Sequence, residues 1–168
     1  MYKRQIYAWY PGDADAITWI NYHISGTPTI LEASTNPYQW YSRISIYTGL
    51  PTVLGWGSHE TQQRYPDEIY PRQSDVSAMY TLGSSNADLV LTLLHHYQVR
   101  YVYVGQVECL AYGLNVTDIT SATAKDISTC VAANNILGPL KSFQQLVGAG
   151  QLQVVYSHEG VTIYELSE

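Results

Sequence analysis

Charge is scarce in this chain. Only 13% of its 168 residues are Asp, Glu, Lys or Arg, about half the usual fraction of roughly 25%. Lys and Arg number 8 against 14 Asp and Glu, for a net charge of -6, and no basic run extends beyond Lys3-Arg4. A phosphate backbone demands clustered cations to displace its counterions, so nucleic acid is not an expected partner. No apolar run approaches the roughly 20 residues of a membrane span; Leu89 to Leu94 is the longest candidate. No apolar stretch follows Met1-Tyr2-Lys3-Arg4, so no signal peptide is read. From the residues alone, the chain reads as cytosolic or as an excised piece of a longer protein.

Phenylalanine is nearly absent too, one against 16 tyrosines. Tyrosine buries a ring while keeping a hydroxyl wet, which suits an interface, a sugar-binding surface or a membrane-proximal face; a general preference for Tyr over Phe is the alternative. Cysteine is limited to Cys109 and Cys130. Two cysteines in a domain of this size more commonly remain separate buried thiols, with a bridge favoured in an extracytoplasmic setting. The length and the 46% hydrophobic content fit one soluble domain over residues 1–168, able to bury a core without disulfides or metals.

Helical and strand-like patterns alternate along the chain. Pro11-Gly12-Asp13 offers Asp13 as an N-cap for a helix over 14–25, carried by Ile17, Ile20 and Ile24. Gly26 and Pro28 lead into a short strand at 29–31. Asn36-Pro37 starts a second helix that stops at Gly49, and a second buried strand follows at 52–54. Helices are predicted at 75–82 and 87–97, then a strand at 100–105. Residues 114–138, rich in Ser, Thr, Ala and Asn, read as an insertion with a weak helix. A helix near 140–147 precedes strands at 152–157 and 161–166, joined by His158-Glu159-Gly160. The expected fold class is α/β: three layers, a mainly parallel sheet with helices on both faces, and a C-terminal antiparallel hairpin.

Ligands of such sheets lie beyond the carboxyl ends of the strands, which directs attention to Glu32, to 55–64 and to Gly105 through Glu108. Most motifs there fail. Gly55-Trp56-Gly57 has Glu60 where a dinucleotide fingerprint needs its third glycine. His59-Glu60 opens a zincin-like helix, but Gln63 stands in place of the second His. No metal or cofactor is expected, and His95-His96 reads as a helix end favoured by the dipole. The surviving candidate ligand site comprises Trp56, His59, Glu60, Gln62, Gln63 and Arg64, joined by Glu32 and Arg43 and by Glu108 beyond the third strand. These groups hold polar, hydroxylated ligands. The alternative is an internal ion-pair network that pins the loop, with Trp56 in the core.

Around this segment the chain resembles the YYY membrane proteins of Chloroflexi and archaea, a family without an established function. The similar stretches are Pro28-Thr-Ile-Leu-Glu-Ala33, Tyr41-Ser-Arg-Ile-Ser45, Thr48 through Trp56, His59-Glu60 and Gln63-Arg64. Arg72 with Asp75-Val76, Tyr80, Leu94, Tyr97, Tyr101 through Gly105, Glu108, Tyr112, Lys141 to Phe143 and Ile163-Tyr164 continue the likeness; residues 114–138 depart from it. The resemblance implies a large polytopic membrane parent, similar in layout to lipid-linked-sugar glycosyltransferases. This chain would be its extracytoplasmic soluble domain, placing the protein at the membrane.

Two functions follow from that resemblance. The first is an accessory domain of a membrane glycosyltransferase that positions a glycan, a lipid-linked sugar or an acceptor, without catalysing transfer itself. The second is a structural or interaction module docking on the parent's own transmembrane region, with no ligand. A self-contained hydrolase using Glu32 or Glu60 as general base has no nucleophile or metal constellation behind it.

Overall fold

The computed structural model describes residues 10–35, 39–83 and 85–167. Four strands build one sheet: β1 (Thr29–Leu31), β2 (Val99–Val104), β3 (Leu152–His158) and β4 (Val161–Leu166), in the spatial order β1-β2-β4-β3. β1 and β2 run parallel, with Ile30 opposite Tyr101, whereas β4 is antiparallel to both β2 and β3. The sheet is therefore mixed and mostly antiparallel, which corrects the mainly parallel sheet expected from the sequence. The expected strand at 52–54 contributes a single bridge, Thr52 to Ile30, and the Ile30 N–H donates to the Pro51 carbonyl at 2.9 Å. Pro51 has no N–H and so ends the pairing on its side of the bridge, and on the other side the chain bends at Val53. On its other side β2 takes β4 of the hairpin. The hairpin turns through Glu159 and Gly160, both at positive φ (47° and 77°), the backbone that a tight two-residue turn requires.

Helices precede β1 and lie between β1 and β2 and between β2 and β3. They are α1 (Pro11–His23), α2 (Arg43–Thr48), α3 (Gly57–Glu60), α4 (Pro66–Thr81), α5 (Ala87–His96), α6 (Gln106–Glu108), α7 (Ala124–Ala132) and α8 (Lys141–Gly148). A π-helical turn, Cys109–Gly113, continues α6. Local chemistry accounts for several ends. The Asn86 side chain accepts the Leu89 N–H at the start of α5, and Thr123 with Asp126 forms a capping box for α7. α4 begins well before the expected 75, despite Pro71 within it. Pro71 removes a bond to the Asp67 carbonyl, but both residues are exposed, so water can satisfy that group. The helix start expected at Asn36-Pro37 lies outside the described residues; α2 ends at Gly49 as the sequence suggests.

Alternation along β2 and β4 divides the core in two. Val102, Val104, Tyr164 and Leu166 face Ile69, Val76, Met79, Leu94 and Phe143. Tyr103, Val161 and Ile163 face Ala16, Ile17 and Ile20 of α1 and Ile44 of α2. Both faces are thus covered by helices, each cluster removing apolar surface from water.

Residues 114–138 are tied into this body. Ile119 and Ile136 pack on the larger core, and Cys130 of α7 forms a disulfide with Cys109 across 21 positions of sequence. The bridge replaces the two separate thiols expected from composition. Closing a loop of this length restricts the unfolded chain and stabilises the fold by about 3 kcal/mol. Replacing both cysteines by serine should lower stability by that order, read as a shift in the denaturant midpoint; an unchanged midpoint would show the bridge to be energetically idle.

Candidate functional site

Among the described residues, four ionisable side chains occupy the interior. Asp13, Glu32, Arg43 and Glu108 are each 2% exposed or less. They come from four elements: the first turn of α1, the end of β1, the start of α2 and the turn after β2. Burying charge is costly unless it is paired and hydrogen-bonded, and here the pairing is extensive.

Arg43 is the hub. One edge of its guanidinium faces Asp13, with Nε at 2.5 Å from Oδ2 and Nη2 at 3.3 Å from Oδ1. The other edge grips Glu108, with Nη1 at 3.0 Å from Oε1 and Nη2 at 2.8 Å from Oε2. The planar fork of arginine suits two such bidentate contacts; a lysine ammonium does not. The Tyr103 hydroxyl donates to Asp13 at 2.7 Å and the Trp40 indole N–H at 3.1 Å. Arg43 also lies 5.0 Å from the centre of the Tyr103 ring. Glu108 accepts the backbone N–H groups of Ala33 (2.9 Å) and Gly105 (3.0 Å), joining the carboxyl ends of β1 and β2. Gly105 has no room for a side chain, because a Cβ there would meet the Tyr103 ring at 2.9 Å and Arg43 Nη2 at 3.3 Å. Burial opposes the Arg43 charge, yet Asp13 and Glu108 outweigh it and hold the guanidinium well above its ordinary pKa.

Glu32 acts separately. Its carboxylate accepts the N–H groups of Ile44 and Ser45, both at 2.8 Å, in the first turn of α2. Ser42 precedes that helix in a left-handed conformation and supplies no side-chain cap, so Glu32 serves as a cap from a distant strand. Burial pushes its pKa up to about 7, against the opposing pull of Arg43 and of those backbone donors.

The 55–64 segment is placed elsewhere. Glu60 accepts the Gly55 N–H at 2.7 Å, closing its own loop. The Trp56 indole donates to the Tyr41 carbonyl at 3.1 Å, and the His59 ring meets the Trp56 ring edge-on, centroids 5.4 Å apart. Arg64 forms an exposed pair with Glu60 at 3.4 Å, and Gln62 and Gln63 face solvent. Of the candidate residues, then, Glu32, Arg43 and Glu108 are brought together in the interior, while Trp56, His59, Glu60, Gln63 and Arg64 form a second, more superficial group. Sequence reasoning did not include Asp13, Trp40 or Tyr103 in the site. Asp13 reads as a helix cap because it follows Pro11-Gly12, yet α1 begins at Pro11 and its carboxylate turns inward to Arg43. Among the described residues, no group of three or more His, Cys, Asp or Glu side chains is placed to hold a metal ion. No helix there is long and apolar enough to cross a membrane.

Two predictions test this cluster. Arg43→Met strands two buried carboxylates and should destabilise the fold by about 3–5 kcal/mol, measured by denaturant unfolding; a loss below about 1 kcal/mol would contradict the pairing. The Glu32 pKa gives a signed pH dependence. Its ordinary value is 4.5 and its folded value about 7, so its contribution to stability is complete below 4.5 and lost as pH rises through 7. The loss is on the order of 3 kcal/mol. The unfolding free energy of wild type minus that of Glu32→Gln should fall between pH 4.5 and 7.5; a flat difference would show that the carboxyl ionises normally.

No family model matches the chain, and no curated protein matches it in sequence. Among solved structures, it is similar to the C-terminal globular domain of an oligosaccharyltransferase from Archaeoglobus fulgidus. The TM-score is 0.52 at 11% sequence identity, covering 91% of this chain and 95% of that one. At such identity the likeness concerns the fold, which extends over nearly the whole of both domains.

Proposed function

We propose that this chain is an extracytoplasmic accessory domain of a polytopic membrane glycosyltransferase, where it positions a glycan, a lipid-linked sugar or an acceptor rather than catalysing transfer. The observation that carries this reading is the shared fold with a domain of an oligosaccharyltransferase, matched almost end to end. The quoted resemblance to the YYY membrane proteins leads to the same kind of parent. Placement outside the cytoplasm is supported by the Cys109–Cys130 disulfide, since such bonds persist in oxidising compartments. An exposed set of tyrosines, Tyr22, Tyr65 and Tyr70, each more than 60% accessible, gives the surface rings that carbohydrates and proteins pack against. A non-catalytic role fits the interior carboxylates, whose hydrogen bonds are directed to Arg43 and to backbone N–H groups.

The 55–64 segment favours a second reading, in which the domain docks on its parent's membrane helices and takes no ligand. Glu60 and Trp56 are engaged within the fold, as an internal clasp would be. Calorimetric titration of the chain with a panel of soluble oligosaccharides and a short-chain lipid-linked saccharide separates the two. Saturable binding of at least one is expected from the accessory reading. No binding by any of them, together with association with the parent's detergent-solubilised membrane region, would overturn it in favour of docking.

A further inference from the structure

A cleft of about 230 Å³ opens above the start of α1, apart from the 55–64 segment. Its floor is Pro11 through Asp13, and its walls come from Gln106 after β2, Asn134 and Asn135 after α7, and the Glu159-Gly160 turn. We propose that this cleft binds one neutral, hydroxyl-rich unit: a single sugar ring, free or within a glycan. The choice of ligand class rests on the accessory-domain reading; the location rests on the geometry.

Size sets the first limit. Pockets for drug-sized ligands occupy roughly 300–1,000 Å³, and this cleft is smaller, suited to one ring. Charge sets the second. No Lys or Arg lines the cleft, so an anion finds no countercharge, and it would approach Glu159 at the rim. Asp13 offers little to a cation, because Arg43, Trp40 and Tyr103 already surround its carboxylate.

What remains is amide and backbone chemistry. The side chains of Gln106 and Asn134 supply both donors and acceptors. Asn135 is 3% exposed, and its Nδ2 donates to the Gly160 carbonyl, holding the Glu159-Gly160 turn against the wall. Tyr10, stacked on Trp40 with ring centroids 5.4 Å apart, and Val131 add apolar surface for the C–H face of a sugar. The wall is also stiff. Asn134 and Asn135 adopt left-handed conformations (φ 50° and 59°), and the Cys109–Cys130 disulfide anchors the helix that leads into them.

The test is a heteronuclear NMR titration of the ¹⁵N-labelled chain with glucose, mannose, galactose and N-acetylglucosamine, with sodium phosphate as a separate arm. At least one sugar should produce saturable shifts at the amides of Gly12, Asn134 and Gly160 and at the Asn135 side chain, with phosphate producing none there. Val131→Trp, at an exposed position of α7, should weaken that binding at least tenfold without lowering the melting temperature. Asn135→Gly, which keeps a left-handed backbone accessible, should weaken it as well. Sugar-induced shifts confined to another surface would overturn this site and leave the accessory-domain reading standing. No response to any monosaccharide or to the oligosaccharides above would overturn both, and phosphate-induced shifts in the cleft would overturn its assignment to a neutral ligand.

Discussion

The guanidinium of Arg43, enclosed between Asp13 and Glu108, is the constraint around which the rest of the structure is arranged. Three elements that begin far apart in sequence must meet at one planar group with five N–H donors, and each must deliver its partner in the plane of the fork. Such an arrangement contributes less to net stability than its short distances suggest, because each charge gives up its hydration on burial. A shift of α1, α2 or the turn after β2 by a fraction of a residue would leave a charge in the interior without its counterpart, which is costly.

Glu32 extends this logic to the backbone. A helix of six residues is too short to be stable alone, and α2 has no local cap. The carboxylate at the end of β1 supplies what the helix lacks, and in return the helix presents Arg43 toward Glu108. The sheet edge, the short helix and the ion cluster are therefore mutually dependent, and none of the three is a separate module.

Much of the architecture could be read from the residues, and the exceptions have identifiable causes. Apolar periodicity located α1, α5, β2 and the closing hairpin, because those patterns concern burial and burial decided the outcome. The expected strand at 52–54 shows the limit of that reasoning: Thr52-Val53-Leu54 is apolar enough, but the chain bends at Val53 and the pairing ends after one bridge. α4 starts earlier than expected and runs through Pro71, whose cost depends on the exposure of a carbonyl, a tertiary property. At the site, Glu32 and Glu108 were legible as strand-end charges and Arg43 as a charge on the neighbouring helix, whereas Asp13 was masked by its local role beside Pro11. Its true partner is 30 residues away, and no local pattern encodes a contact of that range. Several residues of the quoted motifs also prove to be internal fasteners. The Tyr80 hydroxyl donates to the Tyr103 carbonyl at 2.8 Å and lies 3.2 Å from the Leu31 carbonyl, and the Tyr97 hydroxyl donates to Asp75.

The spacing of the cluster along the chain bears on biosynthesis. Arg43 follows Asp13 by 30 residues but precedes Glu108 by 65. During vectorial synthesis the cation and its first carboxylate emerge early, while the second remains unmade until β2 has been translated. Until then the guanidinium has a neutralising carboxylate on one edge only, and the N–H groups of its other edge await the Glu108 acceptor.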